Sequence, residues 1–333
     1  MLRGSAYRFL ESLLQPLISL AIAIVISIFF LQITGYPSLR VINVMFSTGY
    51  SDIQYLLTKA SPYILTGLAF SIPFTARVFN IGGEGQLYLG ALLALASSYY
   101  TGNPIFVALA GVLGGCILAL SVALLRIYRN VNEVVSAIML NWIMYYLVSF
   151  FIGSYLYDPN APYQSRPVPS TATIDSNIMF LTAFMVAVMS YIILRHTALG
   201  FMIRVSGTSV KSAIYAGIDP RKSILYSMIL GGSLAGLAGA LIPMGVRPHV
   251  IDSTMAALYG IGFLGIGVGL LGRNNPFGII LSSIFVAGLV IGGQNAERIT
   301  GIAPEIVDVI IGIIVISLSA PMIFKIIKRG AVE

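Results

Sequence analysis

The segment Phe79-Asn-Ile-Gly-Gly-Glu-Gly-Gln-Leu-Tyr-Leu-Gly90 sets Asn80, Glu84 and Gln86 among three glycines, at the join of two apolar stretches. A carboxyl group is costly in hydrocarbon unless it is paired or wetted. Irregular backbone survives at membrane depth only where protein buries it or water reaches it. Two uses fit these residues. One is a broken helix that lines a solute path or forms its gate. The other is a tight turn at the membrane surface with a solvated glutamate. Asn141 is a further polar group, well inside the apolar run that follows Asn130-Val-Asn-Glu133. It must bond another helix or face a polar cavity. Asn132 suits the N-cap of that helix, and Glu133 suits its first turn.

A third segment, Arg195–Ser223, carries five basic residues and one acid, Asp219. Phe201, Val205, Ile214 and Ile218 recur at helical spacing, with charges and small residues between them. Gly217 suits a helix C-terminus and Pro220 follows it. A short amphipathic helix here would either lie in the lipid interface or serve as a docking knob for a cytoplasmic partner. Further along, Gly292-Gly-Gln-Asn-Ala-Glu-Arg298 precedes Pro304, Glu305 and Asp308. Pro304 and Glu305 fit the first turn of a helix, while Asp308 reaches the outer surface or lines a path.

Several chemistries are absent. No Ser/His, His/Glu or metal-ligand set appears within the apolar runs. His196 and His249 stand apart, and the single Cys116 reads as a small buried hydrophobe, with no disulfide framework. The run Gly260–Pro276 is Gly-rich but apolar, and no lysine in the chain directly follows a glycine. A Walker A phosphate loop is therefore missing, and the chain has no route of that kind to ATP hydrolysis. An ion-driven secondary transporter would need an intramembrane acid as its coupling site, and Glu84 and Asp308 are the candidates.

The elements that must position these groups follow from composition. Of 333 residues, 57% are hydrophobic and 9% charged, against about 25% charged in soluble domains. So few charges cannot cover a water-facing surface, so most of the surface must face lipid. The net charge of +7 is scattered between apolar runs and forms no patch for nucleic acid. A spanning helix takes roughly 20 apolar residues. Ten candidates emerge: Pro16–Gly35, Ser61–Phe79, Gly85–Thr101, Pro104–Leu125, Val134–Tyr155, Asn177–Leu194, Ile224–Val246, Ala257–Leu271, Pro276–Gly292 and Pro304–Ile323. The second, third, eighth and ninth are short or broken by Gly and Pro. The first is expected to be retained and not removed as a signal peptide. With the N-terminus inside, fourteen of the 19 Lys and Arg residues fall inside, including Arg204, Lys211, Lys325, Lys328 and Arg329. That bias marks the cytoplasmic side. The expected fold is all-α: one polytopic membrane domain over residues 1–333, with about ten transmembrane helices and both termini cytoplasmic. The Pro-rich stretch Tyr157–Ser176 is expected to be an irregular outer connector or lid. Glycine pairs at 111/115, 232/236 and 288/292 have the spacing of helix–helix contacts. Gly67–Phe70 and Gly260–Phe263 form a faint internal repeat.

Four of these segments occur in a familiar order: Asn80–Gly90, Asn132–Asn141, Arg204 with Ala213-x-x-Ala-Gly-Ile218, and Gly260–Pro276 running on through Gly292-Gly-Gln294. Together, from about Ala60 to Ala320, they resemble permease subunits of ATP-binding-cassette importers for ribose-type simple sugars and nucleosides. Ile81-Gly-Gly-Glu-Gly-Gln86 stands where ribose permeases carry a Gly-Gly-Ile-Asp-Leu-Ser-like segment, so the chain is more similar to the nucleoside branch. The resemblance implies a multi-pass cell-membrane subunit with no cofactor of its own. ATP would be used by a separate ATPase subunit. A second permease subunit, paralogous or identical, and an external binding protein or lipoprotein would complete the system. It also implies that residues of about 200–219, with Gly200, Arg204, Lys211, Ala213, Ala216 and Gly217, couple to the ATPase. Asn80, Glu84, Gln86 and Asn141 are then the candidates for the translocation path or gate.

Overall fold

The structure, a computed structural model, describes residues 2–319, with side chains from Leu17 onward. The last part of the tenth candidate span and the basic residues Lys325, Lys328 and Arg329 lie outside the described residues. In chain order the elements are α1 (Leu2–Ile33), α2 (Ser38–Gly49), α3 (Ile53–Thr75), α4 (Gly83–Thr101), α5 (Pro104–Arg129), α6 (Glu133–Ser154), β1 (Tyr157–Asp158), β2 (Ala161–Ser165), α7 (Ser176–His196), α8 (Ala198–Thr208), α9 (Val210–Tyr215), α10 (Pro220–Gly245), α11 (Ile261–Leu271), α12 (Pro276–Thr300) and α13 (Pro304–Ser319). Among them α5, α6, α7, α10 and α12 are long and apolar enough to cross a membrane. Each of the ten apolar runs falls at least in part on a helix, and the architecture is that of an all-α membrane protein.

Caps set the helix ends as the residue types dictate. Asn132 accepts from the Val134 amide at 2.8 Å, and Glu133 pairs with Arg126 across the α5–α6 turn. Asn103 accepts from the Ile105 amide at 2.9 Å ahead of α5, and Asp219 does the same for the Arg221 amide at 2.9 Å ahead of α10. Both helices begin with a proline, whose missing N–H costs nothing there.

The chain gathers into two compact units, one of residues 57–284 and one of residues 1–56 with 285–333. In the first, α4, α5 and α10 pack closest. A side chain on Gly236 would strike the Gly111 carbonyl and the Gly115 backbone, and one on Gly115 would strike Gly232. The 111/115 and 232/236 pairs thus face each other within one chain. α11 lies along α3, with Gly265 against Thr66 and Gly269 against Phe70 and Ser71. In the second unit Gly288 meets the Tyr50 ring and Gly292 meets the Met45 carbonyl, while the Tyr50 hydroxyl donates to the Phe285 carbonyl at 2.9 Å. Asp308 is exposed there.

Four features depart from expectation. α2 has twelve residues, too few to register in a search for spanning runs, although Val41 and Met45 are fully buried. The second candidate span is not broken at its prolines, since Pro62 and Pro73 both lie inside α3. That helix ends two residues after Pro73, where Arg77 takes φ 58° and the Val78 and Arg77 amides fold back on the Pro73 and Phe74 carbonyls, each at 3.0 Å. The Tyr157–Ser176 stretch is ordered in part as a short hairpin, and the chain from Ser165 to Val168 pairs with His249–Ile251. The two quartets of the faint repeat are not equivalent: Gly67–Phe70 lies in the middle of α3, whereas Gly260 is the left-handed N-cap of α11.

Candidate functional site

The site begins with a missing hydrogen bond. Pro73 has no N–H to offer the carbonyl four residues earlier, at Ala69. The Asn80 side chain donates to that carbonyl at 3.1 Å instead. To do so the chain must turn at Arg77 and run back beside α3. Asn80 thereby sits level with a residue six positions before the helix end, about 9 Å along its axis. Asn80 and Gln86 exchange two amide hydrogen bonds, at 3.1 and 3.0 Å, and Asn80 Oδ1 accepts from the Gly82 amide at 3.2 Å. Asn141 closes the other side: it donates to the Ile81 carbonyl at 3.0 Å and accepts from the Gly85 amide at 2.9 Å. Asn80, Gly82 and Gly83 are thus buried, with the Gly82 amide and the Ile81 carbonyl bonded to side chains.

Glu84 lies at the top of this re-entrant turn, 1% exposed. Its Oε1 accepts from the Tyr88 hydroxyl and the Gly260 amide, each at 2.6 Å, and its Oε2 accepts from Gly262 at 2.6 Å and Phe263 at 3.2 Å. Three of these donors are the open amides at the start of α11. A carboxyl group from the first turn of α4 therefore caps another helix 176 residues away. The approach requires a glycine at 262, since a side chain there would run into the Glu84 backbone. α11 has eleven residues, about 16 Å, so it is a half-helix. Two helix N-termini, those of α4 and α11, converge on one carboxyl group inside the helical unit. Discontinuous helices meeting in this way are the common construction of transporter sites. The turn with a solvated glutamate is not what forms.

Beside Glu84 opens a cleft lined by Tyr88, Ile138, Asn141, Trp142, Tyr145, Tyr259 and Phe263. Tyr145 is its hub, with ring centroids 5.9 Å from Trp142, 5.3 Å from Tyr146, 6.0 Å from Tyr88 and 6.4 Å from Tyr259. Its hydroxyl donates to the Thr254 carbonyl at 3.2 Å, and Ser149 donates to the Ser253 carbonyl at 2.7 Å, so α6 is tied to the chain leading into α11. None of these aromatic residues was singled out in the sequence. Their signal was three rings on one face in mid-span, at 142, 145 and 146.

The segment at 200–219 forms two helices, not one. Ser209 is extended between α8 and α9 and caps the latter through the Ser212 amide at 3.3 Å. Gly217 takes φ 74° and ends α9, as its type suggested. Gly200 packs against the Ile193 and Leu194 carbonyls of α7, and Ala213 is fully buried. Arg204 is half-buried, while Lys211, Ala216 and Gly217 are exposed. These residues do not reach the Asn80–Asn141 cluster, but α8 is joined to the base of it. Gly207 abuts the Thr75 carbonyl at the end of α3, the Arg77 guanidinium donates to the Thr208 carbonyl at 3.3 Å, and Ile203 belongs to the same buried core as Ile72 and Val78.

Over residues 53–319 the chain matches the family described as branched-chain amino acid transport system / permease component. It is 29% identical to the guanosine ABC transporter permease protein NupP of Bacillus subtilis (strain 168), over 97% of this chain and 99% of that protein. It is 27% identical to the nucleoside ABC transporter permease protein NupB of Lactococcus lactis subsp. cremoris (strain MG1363), over 96% and 94%. It is 28% identical to the glucose ABC transporter permease protein TsgB13 of Haloferax volcanii, over 85% of this chain and 80% of that protein. No solved structure matches the chain. With most of its length matched, and with the start of the half-helix α11 seated on Glu84 among apolar helices, the chain belongs to the branched-chain amino acid transport system / permease component family of membrane permeases.

Proposed function

We propose that this ABC-importer permease subunit conducts nucleosides, handed to it by an external binding protein and driven by a separate ATPase. The observation that carries this reading is the near full-length similarity to NupP and NupB, whose names specify guanosine and nucleosides. In this reading the chain crosses the membrane ten times with both ends in the cytoplasm, and works beside a second permease subunit. The eighth crossing is shared between the irregular stretch 246–260 and the half-helix α11.

The coupling arm is 198–219. Its exposed surface, with Phe201, Lys211, Ile214 and Tyr215, is available to an ATPase, and its buried side grips the end of α3. A force on α8 would pass through Thr75 and Arg77 to the re-entrant turn, then through Glu84 to the start of α11. ATPase closure can shift the permease between states only by favouring one of them, and a rigid connection of this kind supplies the bias. Glu84 acts here as a positioning residue. The same geometry weighs against an ion-driven secondary transporter, because both oxygens of Glu84 are engaged by protein donors.

Uptake of labelled guanosine into cells expressing the complete system, with unlabelled competitors in excess, tests the solute. Competition by other nucleosides is expected. Glucose is the second reading, supported by the similarity to TsgB13. Uptake of labelled glucose or leucine by the same cells, with no uptake of guanosine, would overturn the proposal.

A further inference from the structure

We infer that the cleft at Trp142, Tyr145, Tyr259 and Phe263 is where a planar nucleobase is held in passage, against the exposed faces of Trp142 and Tyr259. The inference rests on the nucleoside reading and names its contact residues.

Position is the first argument. Trp142 and Tyr145 lie nine and twelve residues beyond the first residue of α6, about 14 and 18 Å along a helix of about 33 Å. Tryptophan and tyrosine facing lipid belong at the membrane–water interfaces, not in mid-span. Polarity is the second. Of the polar atoms on the cleft's rings, only the Tyr88 and Tyr145 hydroxyls are hydrogen-bonded to protein among the described residues. Trp142 is 51% exposed and Tyr259 58%. In hydrocarbon the Trp142 N–H and the Tyr259 hydroxyl would carry the cost of unmade hydrogen bonds, which a wetted path removes.

Chemistry selects the ligand. The amides of Asn80, Gln86 and Asn141 and the carboxyl of Glu84 already serve backbone and one another. Few side-chain groups are left for the many hydroxyls of a free sugar, and the one charged group lining the cleft, Glu84, is already engaged. The cleft is shallow, with a cavity volume of about 30 Å³, and what it offers is open π-faces and a few rim donors along its lip. A flat, neutral, heteroaromatic ring fits that inventory, since every base has a face to stack whatever its edge carries.

The test uses the complete transporter in proteoliposomes, with Trp142→Ala, Tyr259→Ala, and Phe at each position. Guanosine uptake, ATP hydrolysis stimulated by the guanosine-loaded binding protein, and the mass of the purified complex are measured together. Each alanine variant is expected to lower uptake about tenfold or more, the scale of a lost base stack. Phenylalanine restores most of the rate, and assembly and stimulated hydrolysis persist. Alanine variants that transport at the wild-type rate would overturn the inference. So would phenylalanine variants as impaired as alanine, or loss of uptake with dissociation of the complex, which would make this face a contact with a second permease copy. Absence of guanosine uptake by the unaltered transporter would instead sink the nucleoside reading itself.

Discussion

Glu84→Gln isolates what the carboxyl group does at the start of α11. In the native chain each oxygen accepts two hydrogen bonds. The glutamine oxygen can keep the Gly262 and Phe263 amides. Its NH2 then faces the Gly260 amide, donor against donor, while the Tyr88 hydroxyl turns to accept. One buried N–H is left unmet, at about 1–3 kcal/mol. Charged to local opening of the α11 end, that is roughly 5- to 150-fold in the opening equilibrium. Hydrogen exchange read by mass spectrometry, on peptides covering 257–268 and on α10 peptides as a control, measures it directly. Exchange at 260–263 is expected to accelerate by that factor while α10 keeps its protection. Glu84→Ala, which strips all three amides of their acceptor, should accelerate it further and impair transport. Unchanged exchange at 260–263 would refute the cap. Equal acceleration throughout α10 would show that the glutamate supports the whole bundle and not this helix end.

Three further outcomes follow from the same contacts. Gly207→Val drives a side chain into the Thr75 carbonyl, so hydrolysis stimulated by the loaded binding protein should fall toward the unstimulated rate in a complex that still purifies; full stimulation would count against the α8–α3 link. Charge reversal at Arg204 and Lys211 together should impair the same stimulation and leave membrane insertion intact, whereas unchanged uptake would remove these residues from the coupling surface. Asn141→Leu leaves the Gly85 amide and the Ile81 carbonyl without partners, about 2–6 kcal/mol in all. The melting temperature of the detergent-solubilised permease should drop by several degrees, and an unchanged value would mean the re-entrant turn does not need it.

Much of this was legible in the residues. The ten apolar runs each fell on a helix because hydrophobicity is a local property, and five of those helices are long and apolar enough to cross a membrane. Asn132, Gly217 and Pro304 marked helix ends because capping is local too. The twelve residues of α2 escaped because burial of a short amphipathic helix depends on its neighbours, and the division of 198–215 at Ser209 turned on one side-chain cap. The role of Asn80 was half-written in Pro73, which frees the Ala69 carbonyl that Asn80 takes up. The role of Glu84 was not, since its partners at 260–263 are joined to it only by the fold. The three rings of α6 could be seen to share a face, but only packing brings Tyr259 to them.

The most direct test of the account is guanosine uptake in proteoliposomes holding this permease with its ATPase, its second permease subunit and its binding protein, with ATP and ion gradients supplied separately. The account predicts accumulation that requires hydrolysable ATP and the ATPase, and that is indifferent to a collapsed proton or sodium gradient. Accumulation by the permease without the ATPase, driven by an ion gradient alone, would contradict it.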